Sequence, residues 1–141
     1  MVTLEIDNIT VDEYLSIRRL VGWRTLSVEQ AKKAIDNSLF IVKAIDDDGT
    51  VIGMGRIVGD GAVICYIQDL IVVPEAQGKG VGSMIVERLT QFAEDLRLDG
   101  TTMMFCLMCA KGRESFYNKH GFISRPNEYL GPGMIQYLVD K

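Results

Sequence analysis

Residues 62–98 constrain the fold more than any other stretch of the chain. A β-branched run over 62–73 ends at Pro74 and passes into Gln77-Gly78-Lys79-Gly80-Val81-Gly82. The apolar period then changes, with Val81, Ile85, Leu89, Phe92, Ala93 and Leu96 recurring every three or four residues. That spacing predicts an amphipathic helix to about Leu98, so a strand delivers the chain through a glycine turn straight into a long helix. Glycines let successive backbone N–H groups approach an anion, and the helix start adds partial positive charge. A glycine-eased tight turn would read the same. A Walker loop is excluded because Lys79 is followed by Gly80, not Ser or Thr. A Rossmann fingerprint is excluded because Gly82 comes one step early and the preceding strand ends a meander.

The remaining elements follow from period and punctuation. Val2, Leu4 and Ile6 alternate with polar residues as in a short strand. Thr10-Val-Asp-Glu13 and Ser27-Val-Glu-Gln30 read as two capping boxes. The first opens a helix burying Val11, Tyr14 and Leu15 and ending at Gly22; the second opens a helix to about Asn37. Strands over 39–45, 50–58 and 62–73, joined by Asp46-Asp-Asp-Gly49 and Gly59-Asp60-Gly61, make an antiparallel meander. After the long helix come Gly100, a strand over 101–109, a short helix over 113–120 and a last strand from Phe122. The order β-α-α-β-β-β-α-β-α-β predicts a mixed α/β fold, mostly antiparallel, in a single domain over 1–141.

Composition narrows the function classes. The 141 residues carry 15 Lys plus Arg against 19 Asp plus Glu, a balance that argues against a nucleic-acid partner. Residues 1–76 hold seven basic and twelve acidic side chains, and the remainder eight and seven. That asymmetry suggests two kinds of ligand, one at each end. No apolar run reaches transmembrane length, the N-terminus lacks a signal peptide's cationic region, and Cys65, Cys106 and Cys109 make an odd count. A cytoplasmic protein with reduced thiols and no membrane partner is expected. Cys106-Leu-Met-Cys109 has redox or zinc spacing, but no second ligand pair accompanies it, so no metal is expected. His120 is the only histidine, which excludes a conventional histidine triad.

Gln77, Gly80 and Gly82 match Q/R-x-x-G-x-G/A, and Val72-Val73-Pro74-Glu75-Ala76-Gln77 supplies the V-x-P-E-x-Q lead-in. Phe116-Tyr117-Asn118-Lys119-His120-Gly121-Phe122 resembles an F-Y-x-K-x-G-F segment. On these motifs and the element order, the chain resembles the GNAT superfamily of N-acetyltransferases over its whole length. The stretch Tyr66–Val72 looks most like glucosamine-6-phosphate N-acetyltransferases and small arylalkylamine N-acetyltransferases. It departs from the former in Gln68, where a Glu is common, and Ala110, where an Asn is common.

The resemblance implies direct attack of a primary amine on acetyl-CoA in a ternary complex. Tyr117 would protonate the departing thiolate; aromatic packing beside Phe116 and Phe122 is the alternative. Asp69, a charge inside an apolar strand, would orient the ammonium or take its proton through water; pairing with Arg56, or facing solvent at the strand edge, is the alternative. Leu70, Ile71 and Val72 would meet the pantetheine arm through their backbones. Gln77, Gly78, Lys79, Gly80, Val81, Gly82 and Ser83 would hold the pyrophosphate. Trp23, Arg56, Gln68 and Tyr129 are expected in the amine pocket, between the first two helices and the strands, with Asp60 and Met134 as further candidates. The partner expected is a small-molecule amine, with a homodimer left open. A non-catalytic acyl-CoA-binding module, or transfer to a protein amine, is the competing function.

Overall fold

In the computed structural model, which describes residues 1–141, the first unit is built on one five-stranded sheet. The strands are β1 (Thr3–Ile6), β2 (Phe40–Ile45), β3 (Val51–Gly59), β4 (Ile64–Val72) and β5 (Met104–Leu107), side by side in chain order. The first four pair antiparallel and β5 joins β4 in parallel, which is the mixed, mostly antiparallel sheet expected. Helices α1 (Val11–Leu20) and α2 (Val28–Asp36) lie between β1 and β2 in the chain, and α3 (Val81–Leu96) between β4 and β5.

Strand alternation assigns the two faces. Phe40 on β2 stacks on Phe92 of α3 with ring centroids 4.2 Å apart, so that face of the sheet lies under α3. Lys43 has the opposite parity and reaches Glu13 of α1 at 3.0 Å, so α1 covers the other face. Close packing of α3 depends on glycine in β3: a β-carbon at Gly55 would stand 2.9 Å from both Ile85 and Leu89. Tyr14, Ile17, Val42, Met54, Ile57, Ile85 and Leu89 are fully buried between these layers.

The helix starts follow the capping rules. At α1 the Thr10 hydroxyl accepts from Glu13 N–H while the Glu13 carboxylate accepts from Thr10 N–H, the complete box. At α2 only half of the expected box forms: Ser27 Oγ accepts from Gln30 N–H. Asp60 caps the β3–β4 turn, accepting from the N–H groups of Ala62, Val63 and Ile64 at 2.9, 2.8 and 3.0 Å. Those contacts hold its carboxyl below the usual range and start β4 later than the apolar run suggested.

The chain divides into two units, Met1–Leu107 and Met108–Lys141. The second contains α4 (Glu114–Asn118), shorter than predicted, closed by Gly121 at φ 91°. The last strand expected from Phe122 is absent, and residues 123–141 are exposed coil. Pro126 and Pro132 each remove a ladder donor there, and Gly131 and Gly133 weaken any strand between them. No helix is long and apolar enough to cross a membrane.

Candidate active site

The central irregularity of the sheet is in β4. Its pairing with β3 runs to Gln68 opposite Arg56 and resumes at Ile71 opposite Met54, so Asp69 and Leu70 together face Gly55. Asp69 takes a left-handed backbone, φ 59°, which Asp tolerates better than a branched residue. This is a β-bulge, a device that bends a strand and re-aims its side chains. On its other edge β4 pairs with β5 only from Ile64 to Ile67. From Gln68 to Val72 no strand accompanies that edge. Main-chain groups there suit an extended amide-bearing ligand, as sheet edges do in peptide recognition. Leu70 and Val72 are half-buried, whereas Ile71 belongs to the core.

The bulge is fastened by its own side chain. Asp69 Oδ1 accepts from Arg18 Nη1 at 2.6 Å, and Oδ2 accepts from Arg56 Nε at 2.8 Å and from the Tyr14 hydroxyl. Its side chain is 0% exposed, and those of Arg18 and Arg56 are 12% and 11%. Burial, with the Asp69 charge next, pushes the Tyr14 phenol up. Burial works against the Arg56 cation, but the Asp69 hydrogen bond and charge outweigh it and its pKa rises. The ion pair with Arg56 is formed, and the Asp69 carboxylate does not face solvent. To meet an ammonium, its carboxylate would have to give up a partner in a place without solvent. Arg56, expected in the amine pocket, is spent on this pair and on Ser38 Oγ at 3.2 Å.

Beyond β4 a single 3-10 turn (Pro74–Ala76) leads into the glycine loop. Gly78 and Gly80 sit at φ 78° and 83°, and a β-carbon on either would meet nothing within 4 Å. Backbone conformation, not crowding, therefore demands glycine at both. Gly80 is the N-cap of α3 and no side chain caps that helix, leaving its first-turn amides directed at the loop. Val81 is buried and anchors the helix start; Gly82 and Ser83 are half-buried, and Lys79 is exposed. Residues 77–83 contain one cation and no carboxylate, a donor set that fits a pyrophosphate. Gln77 has a part the sequence did not disclose: its Nε2 donates to Val72 O at 3.0 Å, tying loop to strand.

In the second unit Tyr117 lies on α4, edge-on to Phe116 and Phe122 with centroids 5.1 and 5.9 Å away. Burial, aided by the Cys109 sulfur, pushes its phenol up to about 12. The hydroxyl is therefore a neutral donor throughout the neutral range. Burial and Glu114 likewise push the Cys109 thiol up, which disfavours the nucleophilic thiolate. Tyr129 is 86% exposed and Met134 88%. No group of three or more His, Cys, Asp or Glu side chains is placed to hold a metal ion.

The sequence-selected residues separate accordingly. Asp69 and Arg56 meet in the buried cluster, and Gln68 is half-buried opposite Arg56. Trp23 lies in the α1–α2 loop against Arg18, whose guanidinium carbon is 5.4 Å from the ring centroid. Tyr14 and Arg18 were missed as site residues; Tyr14 read as core. Their signal was the i, i+4 spacing that puts a hydroxyl and a cation on one face of α1, toward the only carboxylate of β4.

The acetyltransferase (GNAT) family profile matches residues 5–122, from β1 through the segment after α4. The chain belongs to the GNAT acetyltransferase family. Its GNAT fold matches a probable acetyltransferase of unknown function from meticillin-resistant Staphylococcus aureus, with 30% identity, a TM-score of 0.83, and 97% and 100% of the two chains covered. A GNAT acetyltransferase from Streptococcus pneumoniae matches with 28% identity, a TM-score of 0.82 and coverage of 99% and 100%. An uncharacterized N-acetyltransferase of the red alga Pyropia yezoensis is 28% identical over 127 residues, 88% of this chain and 71% of that one. The protein is thus an acetyl-CoA-dependent N-acetyltransferase.

Proposed function

We propose that this enzyme transfers the acetyl group of acetyl-CoA to the primary amine of a small molecule, by direct attack in a ternary complex. The observation that carries the reading is the continuous backbone track from the Asp69 bulge to the uncapped start of α3. Along it, Leu70–Val72 would pair with the pantetheine amides, and the amides of residues 78–83 would receive the pyrophosphate. Lys79 adds a cation beside them.

In the reaction the amine nitrogen attacks the thioester carbon and the carbon–sulfur bond breaks. The Tyr117 phenol gives its proton to the departing thiolate, the nitrogen loses one proton to water, and the phenolate regains one from water. The phenol, pushed up to about 12, carries its proton at neutral pH and so can hydrogen-bond the thiolate as it departs. Direct attack is supported by the cysteines: Cys65 is buried with its thiol pushed up, and Cys109 is pushed up as well. Asp69 serves as a positioning residue, holding the bulge from which the track starts.

The test is release of free coenzyme A over a panel of primary amines, with initial rates measured at varied acetyl-CoA and amine. Intersecting double-reciprocal lines are expected. Parallel lines would overturn direct attack. Thermal stabilisation by acetyl-CoA without turnover of any amine would overturn the small-amine reading in favour of a binding module.

A further inference from the structure

The buried cluster around Asp69 is not electrically closed. Arg18 and Arg56 bring two guanidinium groups to a single carboxylate, all but removed from solvent, while Tyr14 contributes only a neutral hydroxyl. One positive charge is left over in a poorly hydrated place, where an unmatched ion is costly. In addition, Arg18 Nε is buried and donates to nothing. A buried donor without an acceptor is uncommon in native proteins and calls for an explanation.

Arg18 also lines a small cavity at the α1–α2 corner, together with Arg19, Arg24, Trp23, Leu15 and Leu26. No carboxylate lines it. Its volume of about 10 Å3 admits a group the size of one water molecule, so whatever enters does so by a terminal atom. The floor of the site is held still: Arg18 Nη1 is fixed on Asp69, and Nη2 donates to the Arg24 carbonyl at 3.0 Å. Arg19 and Arg24 are exposed at the mouth, and the Trp23 ring is 38% exposed. The corner thus joins a fixed cationic donor, two exposed cations and an aromatic face.

We propose that the α1–α2 corner binds the carboxylate of a planar, aromatic acceptor, one oxygen entering the cavity at Arg18 and the ring lying on Trp23. Guanidinium groups match the planar carboxylate, and an aromatic ring provides the flat surface that Trp23 can cover. The corner runs against the acidic balance of the first half, which would match a pocket for a cationic amine. Four of that half's carboxylates are engaged elsewhere: Asp69 by two arginines, Glu13 by Lys43, Asp46 and Asp60 in turns. The proposal rests on the small-amine reading for its account of the ligand as an acceptor, and names that acceptor's class: an aromatic amino acid or a related amine bearing a carboxylate.

Trp23 is the only tryptophan, so its fluorescence reports on this corner directly. The probe is benzoate, with benzamide as the neutral isostere, titrated into the wild-type chain and into Arg19→Gln and Arg24→Gln. Saturable quenching by benzoate is expected, about tenfold weaker with benzamide and in each variant, the scale of a charge-assisted hydrogen bond. Equal quenching by the two probes, or no saturable quenching by benzoate, overturns the proposal. A second arm compares kcat/KM for 4-(aminomethyl)benzoate and benzylamine, with the former expected to be at least about tenfold better. Equal turnover of both overturns the carboxylate preference and leaves acetyl transfer to amines standing. Benzoate capture without turnover of any amine overturns the acceptor assignment and leaves the carboxylate site standing.

Discussion

The Tyr14 hydroxyl donates to the Asp69 carboxylate across 55 residues of sequence, joining the buried face of α1 to the bulge of β4. Arg18, one turn further along α1, takes the other carboxylate oxygen. One helix face thereby holds a left-handed residue in the strand that leads to the glycine loop.

Asp69→Asn tests this arrangement. The carboxamide keeps the shape but removes the charge between two largely buried guanidinium groups. Breaking a buried pair by removing one partner costs about 3–5 kcal/mol, and denaturant melts should show a loss of that size. Tyr14→Phe removes one hydrogen bond to a charged group and should cost about 1.5–3 kcal/mol. A loss below about 0.5 kcal/mol for Asp69→Asn, the range of an ordinary surface change, would mean that the cluster does not hold the bulge.

Two glycines should fail in different ways. At Gly55 an added methyl meets Ile85 and Leu89 at 2.9 Å, so Gly55→Ala should destabilise the fold by about 1–3 kcal/mol through overpacking. Gly80 has open space but φ 83°, so Gly80→Ala should cost about 1–2 kcal/mol in backbone strain. Only the second should also weaken acetyl-CoA, because it reorients the amides before α3. Calorimetric titration alongside thermal melts separates the two outcomes. Unaltered acetyl-CoA affinity in Gly80→Ala would remove the loop from coenzyme binding.

The features legible in the sequence were those with local causes. Thr10 and Glu13 are three residues apart and cap α1 as their spacing requires, and the change of period at Val81 marks α3. The bulge was not legible, because it exists only as a mismatch between β4 and Gly55 on another strand. Nor was the cationic corner: Arg18, Arg19 and Arg24 look like ordinary surface charge until α1 and the loop after it bring them to one cavity. Asp69 was singled out for the right physical reason, a charge in an apolar strand. Its partners on α1 lie 51 and 55 residues away, and no local pattern links them. No strand follows Phe122 because Pro126 and Pro132 remove ladder donors beyond it, whatever the apolar start suggests.

The alkaline behaviour of the enzyme should expose Tyr117. Its folded pKa of about 12 exceeds the ordinary tyrosine value of 10, so the native state holds the phenolic proton more tightly. The stabilisation linked to that proton is fully present below pH 10 and is lost as pH rises through 12. As a general acid, Tyr117 should therefore put no alkaline limb on kcat between pH 7 and pH 10. Tyr117→Phe should lower kcat by about 10²- to 10⁴-fold at every pH in that interval, with the dissociation constant of acetyl-CoA nearly unchanged. A wild-type limb near pH 9 that disappears in the variant would show that the phenol titrates below the raised value, whereas an unchanged kcat in the variant would contradict the donor role.

Gln77 and Lys79 offer the last contrast, because both belong to the loop and only one has a bond within the protein. Gln77 Nε2 holds the Val72 carbonyl at 3.0 Å, so Gln77→Ala frees the loop from the end of β4. Loss of one neutral hydrogen bond is worth about 0.5–1.5 kcal/mol, which corresponds to a KM for acetyl-CoA raised about twofold to tenfold, with kcat little changed. Lys79 is exposed, and its attraction to a phosphate is screened by solvent and salt. Lys79→Ala should raise the same KM by about fivefold at most, and the difference from wild type should vanish near 1 M salt. The Gln77 effect should persist at that salt, since a short hydrogen bond between loop and strand is not an ionic contact. Initial rates at low and high ionic strength decide between them. A Gln77 effect that salt abolishes would show that this side chain acts on the phosphates directly and not through the Val72 carbonyl.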